Sequence, residues 1–258
     1  MNKHALLAWP VLLALACNNV PAEEKPADTT ATIAATAVTP VPPVTTGASN
    51  ALADTFTMGE RTYYVVPMEQ SPFPTEPEQD VTEMDVAEKA ALARTTGVKR
   101  IGDTLLLPVD KGEPVAMVNN NSDGDDYAHY YYDSYLPEIN CYCLIGTYYE
   151  AGDYVLLNRS TGANIHVWGK PVISPDKKML ICPSYDLEAG FIPNGFQVFT
   201  NDNGALENTG DVSLTKWGPG RVKWLDNNTI AVEQLYPTLD GNGDATKAEV
   251  SAGKITLR

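Results

Sequence analysis

Trp168-Gly169-Lys170-Pro171-Val172-Ile173-Ser174-Pro175-Asp176-Lys177-Lys178-Met179-Leu180-Ile181 returns in weaker form 49 residues later, as Trp217-Gly218-Pro219-Gly220-Arg221-Val222-Lys223-Trp224-Leu225-Asp226-Asn227-Asn228-Thr229-Ile230-Ala231-Val232. Each copy sets two β-prone runs around a polar turn built on an Asp, the pattern of a hairpin. A second echo pairs Tyr149-Glu150-Ala151-Gly152, and the hairpin ending Asn158-Arg159-Ser160-Thr161-Gly162, with Glu188-Ala189-Gly190 and the hairpin ending Asn201-Asp202-Asn203-Gly204. Repeats of ~40–50 residues holding four short strands each are units that bury their faces against one another.

The same texture spreads outward from the repeats. Thr104-Leu105-Leu106-Leu107 and Val115-Ala116-Met117-Val118 flank Asp110-Lys111-Gly112, again a hairpin, and strand-like runs recur at Tyr130–Tyr132, Cys141–Ile145, Tyr154–Leu157 and Phe196–Phe199. Arg61–Val66 predicts a further strand ended by Pro67, and the prolines at 72, 74 and 77 predict a loop. Helix composition occurs in one stretch, 81–94, with Thr82 as expected cap and Met84, Ala87, Ala91 and Leu92 as the expected apolar stripe. The expectation is an all-β, mainly antiparallel domain over residues 55–258 with one short N-terminal helix.

At Val172-Ile173-Ser174-Pro175-Asp176-Lys177-Lys178-Met179-Leu180 the chain resembles the Ser-Pro-Asp-Gly-Lys hairpin of TolB-like and related WD-type β-propeller repeats. The resemblance implies that Ser174, Pro175 and Asp176 make the tight turn between the first two strands of a blade. It departs from the family in carrying Lys177 where Gly is usual, and the second copy keeps only the Asp. It spans residues 130–235, two and a half blades, whereas a closed propeller takes 4–8. Either Thr104–Tyr132 and Glu249–Leu257 supply degenerate blades, or the sheets form an open or sandwich-like array.

Before the domain, Lys3 and His4 precede an apolar run, Ala5–Ala16, that is too short to span a bilayer. With Leu13-Ala14-Leu15-Ala16-Cys17 it resembles a bacterial lipoprotein signal. That implies removal of residues 1–16, acylation of Cys17 and a lipid-anchored place in the cell envelope, the outer membrane being favoured because Asn18, not Asp, follows the Cys. Residues 17–54 read as a tether: from Val20 to Asn50 there are seven Ala, seven Thr and five Pro and no aromatic residue, too little apolar surface to offset chain entropy. The 258 residues carry a formal net charge of −15, which argues against a phosphate-backbone partner. It predicts instead a protein partner that is cationic, calcium-bridged or neutral.

Candidate chemistry is sparse. Asp240-Gly241-Asn242-Gly243-Asp244 matches the first ligand positions of a calcium loop through Asp240, Asn242 and Asp244, but Ala245 replaces the turn Gly and Ser251 the final Glu. Asn121-Ser122-Asp123-Gly124-Asp125-Asp126 is a weaker version of it. Cys141 and Cys143 share a strand face. Small buried side chains is one reading of these thiols, and a bridge from Cys182 to Cys141 or Cys143 is the other. His129 and His166 read as structural or surface residues, and nine tyrosines crowd residues 127–154, suited to packing or to glycan or protein contact. With no nucleophile–base pattern, the expectation is a protein-binding or scaffolding lipoprotein and not an enzyme, with no cofactor unless calcium. The alternatives are a glycan-binding or glycan-active protein and a calcium-stabilised structural one.

Overall fold

The computed structural model describes residues 54–74, 83–238 and 249–257. Cys17, the tether, Thr82 and the calcium-loop residues Asp240, Asn242 and Asp244 lie outside the described residues. The fold is all-β with one short helix among the described residues, and every strand pair is antiparallel.

Four sheets follow one another along the chain. The first holds β3 (Lys99–Ile101), β4 (Thr104–Leu107) and β5 (Val115–Val118); the second holds β6 (Ala128–Leu136), β7 (Cys141–Tyr148), β8 (Ala151–Asn158) and β9 (Asn164–Val167). The third runs β10 (Val172–Ile173), β11 (Met179–Ser184), β12 (Gly195–Asp202) and β13 (Ala205–Ser213). The last combines β14 (Gly218–Trp224), β15 (Thr229–Tyr236) and β16 (Glu249–Thr256) with the first strands among the described residues, β2 (Arg61–Pro67) and β1 (Asp54–Met58), in the order β1-β2-β16-β15-β14. None of the four sheets closes on itself.

Alternation along the strands explains the stacking. In β7, Tyr142 and Leu144 enter a cluster with Leu105, Leu107 and Val155, while Cys141 and Cys143 enter another with Leu156, Leu180, Cys182 and Phe199. The second sheet is thus apolar on both faces, one against the first sheet and one against the third. A further cluster joins the third sheet to the last through Ile181, Phe196, Val198, Phe56, Val65, Trp217 and Ile255. Three buried clusters therefore link four sheets in a row, and none of the three contains both first-sheet and last-sheet residues. The outer faces of the row are exposed: Ile101 is 61% and Val118 56% exposed on the first sheet, Tyr64 60% on the last.

The repeated segments occupy equivalent places. The first echo is β10–turn–β11 and β14–turn–β15, each a hairpin at one edge of its sheet; the second is β8–turn–β9 and β12–turn–β13. Thr104–Tyr132 contributes two of the three strands of the first sheet, β4 and β5, and opens the second, and Glu249–Leu257 contributes a central strand of the last. Close approach explains a glycine here. At Gly195, where φ is +143°, a Cβ would sit 1.8 Å from the Val212 carbonyl oxygen of β13, so no other residue fits.

The helix departs from expectation. It is α1, Met84–Ala93, shorter than 81–94, and Glu83 at its N-cap makes no side-chain cap bond. Met84 and Ala87 are exposed; the buried residues are Glu88 and Ala91. The reason is the edge of β6, whose outward backbone groups need partners. Ala128 exchanges two backbone hydrogen bonds with Asn120, and Tyr130 N–H donates to Asn119 Oδ1 at 2.9 Å. The Tyr130 carbonyl accepts from Arg100 Nη2, and Tyr132 N–H donates to Glu88 Oε1 at 2.7 Å. Arg100 in turn donates through Nε and Nη2 to the two Glu88 oxygens at 3.1 and 2.6 Å. The ion pair thus stands in for the strand that β6 lacks.

Candidate functional site

Hairpin turns of the second and third sheets gather at one end of the molecule. Asn158 Nδ2 donates to the Gly204 carbonyl at 2.8 Å, and Asn201 Nδ2 to the Lys177 carbonyl at 2.7 Å. Asp54, where β1 begins, lies at the opposite end. Its Oδ2 accepts from Trp217 Nε1 at 2.6 Å, and the Trp217 carbonyl accepts from Asn194, which immediately precedes β12. Eight-residue strands separate the ends by roughly 25 Å.

The turn end carries a cleft of about 730 Å³ between the C-terminal side of α1 and the first two sheets. Its walls include Arg94, Pro108, Asp133, Tyr135, Tyr142 and Arg159. Two rings line it, but their hydroxyls turn away: Tyr135 donates to Asn140 Oδ1 at 2.7 Å and Tyr142 to the Pro108 carbonyl at 2.8 Å. Burial pushes the Tyr142 phenol above its ordinary value, so it stays neutral. Arg159 lies over the Tyr135 ring, 5.7 Å from its centroid, and pairs with Asp110 at 3.1 Å. Asp133 is spent on Lys170 at 2.9 Å and on the Ser134 hydroxyl at 2.7 Å. Arg94 has no side-chain partner among the described residues.

Ser174, Pro175 and Asp176 form the turn between β10 and β11. Ser174 Oγ donates to Asp176 Oδ1 at 2.8 Å, and the N–H groups of Met179 and Lys178 donate back to Ser174 Oγ and Asp176 Oδ1. Lys177, where the family carries Gly, has φ +65°. Cys141, Cys143 and Cys182 are free, buried thiols, so no bridge joins Cys182 to either partner. All three instead fill the packing between the second and third sheets. No group of three metal-binding side chains occurs among the described residues, the 121–126 loop included.

The sequence reading missed a cluster beyond the first-sheet core. His166 Nδ1 meets Asp153 Oδ2 at 2.6 Å, and Tyr148 donates to Asp153 Oδ1 at 2.9 Å. Desolvation first, and then the Asp153 carboxylate, push the Tyr148 phenol up. Gly146 leaves room for the cluster, since a Cβ there would lie 2.4 Å from the Tyr148 hydroxyl and displace it. The three polar side chains come from β7, β8 and β9, so only the strand register brings them together. The cleft was equally hidden, since its Arg and Tyr residues are far apart in sequence.

No family model, curated protein or solved structure matches this chain.

Proposed function

We propose that the chain is a lipid-anchored, propeller-like binding module of the cell envelope, held through Cys17 and the 17–54 tether, that takes a partner protein in its turn-end cleft. The supporting observation is the separation of ends: the chain enters at Asp54, and the cleft opens at the other end of the strands. An anchored module so arranged presents its cleft away from the attachment point.

The lining fits a protein better than a glycan. Tyr and Arg dominate binding energy at protein interfaces, where large rings and planar guanidinium groups bury well. A sugar needs free, directed polar groups, whereas here both tyrosine hydroxyls and the Asp133 carboxylate are already engaged.

A photo-crosslinking residue at Thr96 in the cleft, compared in cells with one at exposed Asn208 on β13, tests the reading. Discrete protein adducts are expected from Thr96 only, together with palmitate labelling that Cys17→Ser abolishes. Equal adducts from both positions, or no labelling, would overturn it.

A further inference from the structure

We infer that the segment of the partner seated in this cleft is an acidic peptide, its carboxylate taken by Arg94 with Arg159 alongside. The inference rests on the cleft being the binding site. In a chain of net charge −15, most cations near the cleft are matched: Lys170 by Asp133 and Arg159 by Asp110. Arg94 is the exception, for its guanidinium is exposed at the cleft wall with no partner among the described residues. A guanidinium offers a planar fork that suits a carboxylate. Arg159 lines the same cleft, its guanidinium carbon 5.7 Å from the Tyr135 ring centroid.

Apolar surface from Pro108, Pro137, Ala91 and the Tyr rings gives a peptide side chain somewhere to lie in the same cleft. The overall negative charge does not forbid this. At physiological salt, charges beyond ~8 Å are largely screened, and the groups in the cleft decide. The expectation from net charge, that a partner is cationic, calcium-bridged or neutral, thus reverses locally.

The test titrates the full chain with three fluorescein-labelled octapeptides, alternating Glu-Ala, Gln-Ala and Lys-Ala, read by anisotropy at 50 and 200 mM salt. The Glu peptide is expected to bind at least tenfold more tightly than the Gln peptide and to weaken with salt. Arg94→Gln should remove that preference, Tyr135→Ala should weaken the Glu and Gln peptides together, and Lys223→Gln, an exposed cation on β14, should change neither. If the Gln peptide binds as well as the Glu peptide and Tyr135→Ala weakens both, the cleft stands and the acidic partner falls. If no peptide responds to Arg94→Gln or Tyr135→Ala, the cleft reading falls with it.

Discussion

Glu88 is only 7% exposed, and three donors converge on its carboxylate: two from Arg100 and the Tyr132 N–H. The ion pair replaces a missing strand, so its removal costs more than an ordinary surface pair. Glu88→Ala should destabilise by about 3–5 kcal/mol in urea unfolding, since it strands both a buried guanidinium and a backbone N–H. A Glu88→Met, Arg100→Met double variant should recover part of that loss, as no unpaired charge remains; a single-variant loss below about 1 kcal/mol would mean that Arg100 stays hydrated. Asp186 shows a half-buried counterpart. Its carboxylate accepts from the N–H groups of Ala189, Gly190, Phe191 and Ile192, at 2.7–2.9 Å. Desolvation pushes its pKa up, but the four N–H bonds outweigh it and hold the carboxyl below the usual range. A folded value below the unfolded one of about 3.9 gives stability that is complete above that pH and is lost as pH falls through the folded value. The stability gap between the parent and Asp186→Asn should therefore be widest near neutral pH and shrink below about pH 4, with Gly190 and Phe191 amide exchange faster in the variant. A gap that is constant with pH would contradict the role of the charge.

Among the elements, β7 and β8 were the most legible and β13 among the least, while α1 was legible as a helix but not in the face it buries. A strand buried on both faces must be apolar throughout, and Cys141-Tyr142-Cys143-Leu144-Ile145 says so directly. Strand β13, Ala-Leu-Glu-Asn-Thr-Gly-Asp-Val-Ser, is the outer strand of its sheet and mostly exposed, so its sequence carries little apolar alternation. The helix misled differently, because it turns Glu88 inward to serve β6, whereas composition argues for Met84 and Ala87. The cysteine pattern was readable only as far as face. Burial pushes the Cys141 and Cys143 thiols up to about 12, and Cys182 higher still. A thiolate is the reactive species, so a Cys17→Ala chain should show no reaction with an aromatic disulfide reagent at pH 8, and three equivalents on unfolding in urea. Fast labelling of the native chain would mean that the packing between the second and third sheets opens readily.

At the scale of the molecule, the sequence shows the repeat but not its limit. Hairpins at equivalent places in successive sheets are written in the Trp168 and Trp217 segments, whereas the number of interfaces depends on contacts between residues distant in the chain. The last sheet is completed by β1 and β2 from the first described segment, a pairing across nearly two hundred residues that no local pattern can announce. Phe56 on β1 seals it, stacking on Tyr63 at 5.4 Å between ring centres and meeting Phe196 of the third sheet edge-on at 5.2 Å. The row then ends, with Ile101 and Tyr64 outward on its two terminal faces. An open row and a closed ring differ by one interface, and stability separates them. Phe56→Ala should cost about 3–5 kcal/mol, since it empties a packed site between two sheets. Ile101→Thr and Tyr64→Thr keep or supply a β-branched residue and should each stay within about 0.5 kcal/mol of the parent in urea unfolding, as substitutions at exposed positions do. Were either exposed substitution to cost well over 1 kcal/mol, the first and last sheets would have to pack against each other in solution, and the row would be a ring.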